Sequence, residues 1–301
     1  MSACVESVCP RTMMRESLEA PVEAQVKPIG VHGEIRRWIN KAWEAVAGPR
    51  ELKAPPIAHV HVESFYAAVE QAQNPRFRGK TVLVAGGGVV ASAGLEGQGR
   101  GVSAGMSVRE ALKVCPTAII VPGDYARYAE TAEQVRRILE KYGAAVEMKA
   151  CGSFYLEFNC TALPFSQFGA RLRQMQAEVL GKTGLSASVG AGTSRIVAAL
   201  AAREHRPCGL RVVARGEERA FLAPFRIEKL RGISEKHLAE VKEGGLSSIG
   251  ELQRIPKGAL VAVFGAAVGH QVWAQARGRE VINFAGDATT ATEGVRCLVA
   301  A

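Results

Sequence analysis

The sequence alternates between strand-like and helix-like patterns from residue 57 to residue 213. At the start of this stretch, the apolar run Ile57 to Val62 leads directly into Ser64 to Gln73, where apolar residues recur at helical spacing. Continued alternation of this kind predicts a mixed α/β core. The other strand-like runs are Thr81 to Ala85, Ala118 to Val121, Ala144 to Met148, Ser153 to Phe158, Ser186 to Gly190 and Leu210 to Val213. The other helical runs are Ser107 to Val114, Tyr125 to Tyr142, Phe165 to Lys182 and Ser194 to His205.

The two ends of the chain differ from this core. Residues 1–32 mix prolines and charges with few aromatic residues, a composition that favours disorder. Residues 33–48 predict an amphipathic helix whose apolar face carries Trp38 and Trp43. That face either packs on the protein's own body or docks a partner. From Phe225 to Arg279 only short helical patterns occur, separated by glycines and a proline, which predicts a small helical module.

The composition is that of a soluble, basic protein. It is 48% hydrophobic and 22% charged, and its formal net charge of +9 favours an acidic partner such as nucleic acid. Charge alone does not decide this, because many basic proteins bind no nucleic acid. No apolar run approaches the roughly 20 residues of a membrane span, and the first residues lack the apolar centre of a signal peptide. We therefore expect a cytoplasmic protein.

The cysteines predict neither a zinc site nor disulfides, because none of them form a C-x-x-C pair, and we expect reduced thiols. The seven are Cys4, Cys9, Cys115, Cys151, Cys160, Cys208 and Cys297.

A set of motifs then occurs in a fixed order. The segment His59 to Glu70 reads H-V-H-V-E-S-F-Y-A-A-V-E and is followed by N-P-x-x-R-G-K at Asn74 to Lys80. Later motifs are G-V-S-A-G-M-S at Gly101 to Ser107, A-L-K-V-C-P at Ala111 to Pro116, V-P-G-D-Y-A-R-Y at Val121 to Tyr128, F-Y-L-E-F at Phe154 to Phe158, S-V-G-A-G at Ser188 to Gly192 and R-P-C-G-L at Arg206 to Leu210. Together they resemble the landmarks of the Y-family DNA polymerases, the lesion-bypass enzymes of the UmuC/DinB type.

The resemblance implies an α/β fold divided as in that family. Residues 55–71 and 122–214 would form an α+β palm with a mixed sheet and flanking helices, and residues 72–121 a small fingers insertion. A small all-α helix-hairpin-helix thumb would span 215–284. Residues 1–54 would then be an N-terminal extension and 285–301 a tail, so we expect the family's little-finger domain to be absent from this sequence. We recognise no clamp-binding peptide in the tail.

The resemblance also implies a two-metal mechanism, in which carboxylates hold Mg²⁺ ions. The family's three metal-holding carboxylates fall on His61, Gly152 and Ser153, none of which is acidic. Glu63 falls on a structural family position. We therefore expect no catalytic residue, no Mg²⁺ cofactor and no enzymatic activity.

Other ligands do not restore this site. A register shift of one residue in the hairpin would bring Cys151 or Phe154 to the metal position, and neither binds Mg²⁺. A soft-metal site of His61, Cys151 and Cys160 is an alternative, although the two cysteines should lie far apart along a strand.

The nucleotide pocket is altered as well. The family's S-T-A-x-Y-x-x-R stretch reads A-S-A-G-L-E-G-Q here, so the tyrosine and arginine positions hold Leu95 and Gln98. Ser92 and Arg206 remain able to touch a phosphate. Tyr66 follows Phe65 at the position of the family's ribose-excluding aromatic, but an aromatic there also fills the core, and we favour the core role.

The predicted thumb contains the hairpin turn Leu230 to Lys236. Its first glycine is Gly232, whereas the second falls on Ser234, which can cap the following helix while limiting how closely the backbone approaches a phosphate. Lys229, Arg231 and Lys236 either contact DNA phosphates or form a solvated face balanced by nearby glutamates.

Three functions remain open. The first is a non-catalytic, DNA-binding or scaffold component of DNA repair and translesion synthesis, similar to the inactive ImuB-like subunits of mutasomes in the SOS response. Its DNA binding would be weak and salt-sensitive, on primer-template or single-stranded DNA, and it would recruit protein partners of damage tolerance. The second is a residually active Y-family polymerase, and the third is a protein-only interaction module. Mg²⁺-dependent primer extension and salt-sensitive DNA binding separate them.

Overall fold

The computed structural model describes residues 57–158 and 165–279. The chain divides into residues 1–52 and 53–301, and all described residues belong to the second unit. The predicted helix at 33–48 with Trp38 and Trp43, Cys160 and the tail lie outside the described residues.

The strands are β1 (Ile57–Val62), β2 (Val82–Gly86), β3 (Val89–Ala93), β4 (Ile119–Pro122), β5 (Ala145–Ala150), β6 (Ser153–Glu157), β7 (Ala187–Gly192) and β8 (Leu210–Val212). The helices are α1 (Phe65–Gln73), α2 (Leu95–Gln98), α3 (Val108–Val114), α4 (Tyr125–Leu139), α5 (Phe165–Thr183), α6 (Arg195–Glu204), α7 (Glu218–Leu222), α8 (Glu235–Glu243), α9 (Ile249–Leu252), α10 (Lys257–Phe264) and α11 (Ala266–Gln275).

A five-stranded sheet in the order β5-β6-β1-β7-β8 forms the palm-like part. The central strand β1 pairs antiparallel with both β6 and β7, and β7 pairs parallel with β8. Because side chains alternate along a strand, Ala58, Val60 and Val62 enter the main core, which also holds residues of α4 and α5. Ile57, on the other face of β1, packs instead against Ala198 of α6.

A three-stranded sheet in the order β3-β2-β4 forms the fingers-like part. Strand β3 and the short helix α2 were not predicted from the sequence. The signal for β3 is weak, because Gly86, Gly87 and Gly88 precede it and only five residues follow before Gly94. Strand β3 is stabilised by its pairing with β2 and by a bridge from Val89 to Ser107, because its local strand propensity is weak.

Five helices, α7 to α11, follow the last strand and confirm the predicted helical module. Their buried residues, among them Leu222, Leu252 and Val272, share one cluster with Val197 and Leu200 of α6. The thumb-like part therefore packs directly on a palm helix. The α/β fold class predicted from the sequence is confirmed, although α4 ends at Leu139, earlier than its pattern indicated. No described helix is long and apolar enough to cross a membrane.

Candidate functional site

The three positions that the family resemblance assigns to metal ligands meet at one place in the palm sheet. His61 lies opposite Ser153 across the β1–β6 ladder and opposite Ser188 across the β1–β7 ladder. Gly152 lies in the turn between β5 and β6, and its carbonyl accepts a hydrogen bond of 2.8 Å from the Val62 N–H. The sheet thus brings together an imidazole, a hydroxyl and a residue without a side chain.

The backbone at Gly152 is suited to glycine alone. Its φ of +82° lies in the left-handed region. A Cβ at this position would stand 2.8 Å from both Cβ and Cδ2 of Phe65 on α1. A carboxylate could be carried here only if α1 or the turn moved.

His59 joins this face of the sheet, because it lies two residues before His61 on the same strand. Its Nε2 is 3.0 Å from the Ser153 hydroxyl, and its ring centroid is 5.9 Å from that of His61 and 4.6 Å from that of Tyr155. Burial, reinforced by His61 and Arg206, lowers the pKa of His59 to about 3. Burial, with Arg206 and Arg203, lowers the pKa of His61 to about 4. Both imidazoles are therefore neutral at neutral pH.

Sequence reasoning did not single out His59. The signal was present, since the H-V-H alternation places both imidazoles on one face of β1. Two surrounding groups, Ser188 and Arg203, had no comparable signal, because only the folded sheet and α6 bring them near.

Glu63 and Arg206 form an ion pair beside the histidines. Oε1 of Glu63 is 2.7 Å from Nε of Arg206, and its Oε2 is 3.6 Å from Nε2 of His61. Burial raises the pKa of Glu63, against the opposing influence of Arg206 and Arg203. Burial also lowers the pKa of Arg206, while Glu63 acts to raise it. The arginine that could touch a phosphate is thus already engaged with a carboxylate.

These residues do not fit a pair of magnesium ions. Mg²⁺ prefers oxygen ligands from carboxylates, and Glu63 is the single acidic side chain among the groups just described. The described residues contain no group of three or more histidine, cysteine or acidic side chains able to hold a metal ion. Cys151 is partly buried, and burial raises its pKa, which disfavours a metal-binding thiolate.

Two residues of the predicted nucleotide pocket, Gln98 and Ser92, form hydrogen bonds within the protein. Gln98 donates hydrogen bonds to the Ser64 hydroxyl at 2.8 Å and to the Ala93 carbonyl at 3.2 Å. Ser92 is buried, and its hydroxyl accepts from the Ala67 N–H at 3.5 Å. Helix α2, which begins at Leu95, is therefore tied to the palm through Gln98.

Tyr66 packs among aromatic residues of α4. Its ring stacks on Tyr128 at 4.8 Å between centroids and meets Tyr125 edge-on at 5.7 Å, and it contacts the main core cluster. Phe65 is buried against the Gly152 turn. These contacts agree with a packing role for both rings.

The hairpin turn of the thumb-like part is held by α11. Gly232 has a φ of +85° and lies against the Gln271 side chain. The Arg231 N–H donates to Oε1 of Gln275 at 2.9 Å. Ser234 caps α8, as predicted, by accepting from the His237 N–H at 3.3 Å.

The charges around this turn are only partly compensated. Lys236 lies 3.8 Å from Glu240, and Arg231 donates to the Tyr155 hydroxyl at 3.4 Å. Glu228, one of the glutamates near the turn, pairs with Arg226 and Lys242 at 2.8 and 2.6 Å. Among the described residues Lys229 therefore has no carboxylate partner.

Part of the chain matches a known protein family. Residues 60–203 match the model of the impB/mucB/samB family. This part of the chain is similar to the impB/mucB/samB family. The match runs from Val60 in β1 to Arg203 in α6 and includes His61, Gly152 and Ser153.

Similar proteins and structures agree with this family. The DNA polymerase IV of Streptococcus pyogenes serotype M2 (strain MGAS10270) is 30% identical over 229 residues, covering 74% of this chain. The chain spans 63% of the length of that relative. DinB from Sulfolobus solfataricus superposes with a TM-score of 0.65 at 26% identity, over 74% of this chain and 67% of that one. An insertion ternary complex of Dbh DNA polymerase gives a TM-score of 0.68 at 25% identity, over 75% and 68% of the two chains.

Proposed function

We propose that this chain is a non-catalytic Y-family polymerase-like protein that binds DNA and serves as a scaffold in DNA repair or translesion synthesis. The observation that carries the proposal is the set His61, Gly152 and Ser153, which meet where the family resemblance expects three carboxylates. An imidazole that stays neutral, a hydrogen atom and a hydroxyl supply no negative charge to hold two Mg²⁺ ions. We accordingly propose that the site takes no Mg²⁺.

DNA binding would depend on the thumb-like turn and on the overall charge. Lys229, Arg231 and Lys236 flank a glycine turn whose backbone can approach a phosphate. The formal net charge of +9 favours a polyanionic partner. Relatives and structural neighbours named as DNA polymerases support the same class of ligand.

The scaffold role includes protein partners of a damage-tolerance complex, in the manner of inactive ImuB-like mutasome subunits. We place Trp38 and Trp43 of the N-terminal segment as candidates for partner docking. This part of the proposal is supported by the sequence pattern alone.

A residually active polymerase is the second candidate, because the similar curated protein is named DNA polymerase IV. Such an activity would have to use Glu63 as a metal ligand. Its ion pair with Arg206 at 2.7 Å and the raised pKa of its carboxyl both oppose that use.

The test is DNA binding and primer extension measured on one preparation of the full chain. Binding to a primer-template should be salt-sensitive and should weaken about tenfold in Lys229→Glu/Lys236→Glu, because two phosphate contacts are lost. The control is Lys113→Glu/Arg173→Glu, which changes two exposed cations outside the thumb-like part by the same charge. No binding even at low salt would leave the protein-only module as the function.

A further inference from the structure

Several cations surround one tryptophan on the thumb-like part. The Trp273 ring centroid is 4.5 Å from Cζ of Arg277, 4.9 Å from Cζ of Arg279 and 5.6 Å from Nζ of Lys257. Arg219 belongs to the same group, because its Nη2 approaches the Gln253 carbonyl that also accepts from Nη2 of Arg277 at 2.7 Å. We call Trp273, Arg219, Lys257, Arg277 and Arg279 the Trp273 cluster.

The positive charge of the Trp273 cluster is not neutralised within the described ranges 57–158 and 165–279. None of its four cations forms an ion pair there with a carboxylate. Glu218, whose side chain lies beside Gly278, directs its carboxylate to the Thr193 hydroxyl at 2.8 Å and the Gly216 N–H at 2.7 Å. Burial and the neighbouring Arg219 and Arg279 lower the pKa of Arg277, as expected where like charges are crowded.

One member of the cluster, Arg277, is held in place before any ligand arrives. Arg277 donates to the carbonyls of Trp273, Gln253 and Ile255 at 3.1, 2.7 and 3.3 Å. Arg277 is therefore fixed while Lys257 and Arg279 remain exposed beside it. A ligand that binds a fixed group of charges does not have to order them first.

The Trp273 cluster faces away from the hairpin turn. On α11, Gln271 and Gln275 contact the turn. Trp273 lies two residues from each of them, and at about 100° per residue its side chain projects from the opposite side of the helix. A nucleic acid on the turn and one on the cluster would therefore occupy different faces.

We propose that the Trp273 cluster is a second nucleic-acid site, which binds the phosphate backbone of a single strand. Guanidinium and ammonium groups ordered around an aromatic ring match the phosphates and bases of an unpaired strand, whose bases are free to stack near the ring. The proposal rests on the proposed function for nucleic-acid binding and adds the surface that takes the unpaired strand. A primer-template would then place its duplex on the turn and its single-stranded part on the cluster.

The test compares two double variants of the full chain, Lys257→Glu/Arg279→Glu and the control Lys113→Glu/Arg173→Glu. Fluorescence anisotropy measures binding of a labelled 20-nucleotide oligothymidine and of a blunt duplex between about 50 and 200 mM salt. The cluster variant should bind the single strand about tenfold more weakly, with a log–log salt slope shallower by about 1.4, because two phosphate contacts are lost. Its affinity for the duplex should stay within about threefold of wild type, and the control should change neither.

A second readout uses Trp273 itself. The chain has three tryptophans, so Trp38→Phe/Trp43→Phe leaves Trp273 as the single emitter. Oligothymidine should change its fluorescence, and inorganic phosphate at equal charge concentration should compete poorly.

The following outcomes would each contradict the proposed second site. Equal losses in the cluster variant and the control would mean that net charge alone is responsible, and equal competition by polyglutamate or phosphate would mean a general anion surface. Duplex binding without single-strand binding would overturn this inference while leaving the proposed function intact. Absence of binding to both nucleic acids would overturn both.

Discussion

Gly152 is the residue that most restricts chemistry at the palm site. Its positive φ and the 2.8 Å approach of Phe65 to the position of a Cβ leave no space for an aspartate without movement of the turn or of α1. Gly88 provides a natural comparison, since its φ of +80° is almost the same but no atom lies within 4 Å of a Cβ built there. A side chain at Gly88 would therefore meet backbone strain alone, whereas one at Gly152 would meet both backbone strain and steric overlap.

We expect Gly88→Ala to lower the free energy of unfolding by about 1 kcal/mol, the cost of a left-handed alanine. Gly152→Ala should cost about 2 kcal/mol more, because Phe65 must also shift. Urea denaturation of both variants measures the difference. Equal losses would mean that the turn accommodates a side chain, and the steric objection to a carboxylate at this position would fall.

The neutral pair His59 and His61 makes stability depend on pH. Their folded-state pKa values of about 3 and about 4 lie below the ordinary value of 6.5, so the unfolded chain binds more protons between these limits. Their contribution is therefore complete above pH 6.5 and is lost as the pH falls towards 4.

Between pH 7 and pH 5, each histidine should remove about 2 kcal/mol from the free energy of unfolding. The double variant His59→Gln/His61→Gln should lose about 4 kcal/mol less than wild type over the same interval. Urea denaturation at the two pH values gives this difference and cancels any loss common to both. The same pH dependence in both proteins would show that these imidazoles are not kept neutral by the fold.

Most helices and strands follow from local patterns, and the exceptions have tertiary causes. The run Ile57 to Val62 and the hairpin strand at Ser153 were predicted, and their pairing brings the expected site residues together. Strand β3 escaped prediction because its pairing with β2 comes from outside the segment. The hydrogen bond from Gln98 to Ser64 and the ion pair of Arg206 with Glu63 join residues that are distant in sequence. The periodicity of a single sequence does not predict such contacts.

Helix α11 controls the hairpin turn through Gln275. This buried side chain accepts from the Arg231 N–H at 2.9 Å, and its Nε2 donates to the Arg231 carbonyl at 3.4 Å. Gln275→Ala should lower the free energy of unfolding by about 1–2 kcal/mol, because it removes both hydrogen bonds to the Arg231 backbone.

The same variant should bind duplex DNA several-fold more weakly, since the turn loses its orientation. Gln275→Glu retains the acceptor for the Arg231 N–H and should recover part of the affinity, which anisotropy titrations would measure. A destabilised variant with unchanged duplex binding would mean that the turn does not contact DNA.

Taken together, the described residues combine a fold similar to that of solved DNA polymerases with a palm site formed by His61, Gly152 and Ser153. The fingers-like helix α2 is fixed to the palm by Gln98, and Arg206 is paired with Glu63. On the thumb-like part, cations without an ion-paired carboxylate lie beside the turn and around Trp273. These features agree with the proposed role of holding nucleic acid without acting on it.

Primer extension by the full chain tests the proposed absence of catalysis most directly. The reaction contains a primer-template, all four nucleotides and Mg²⁺ or Mn²⁺, with a DNA polymerase IV as positive control and Glu63→Gln as the matched variant. We predict that wild type and Glu63→Gln both bind the DNA and that neither of them extends the primer. Metal-dependent extension by wild type that is lost in Glu63→Gln would contradict the proposal and identify Glu63 as a metal ligand of an active polymerase.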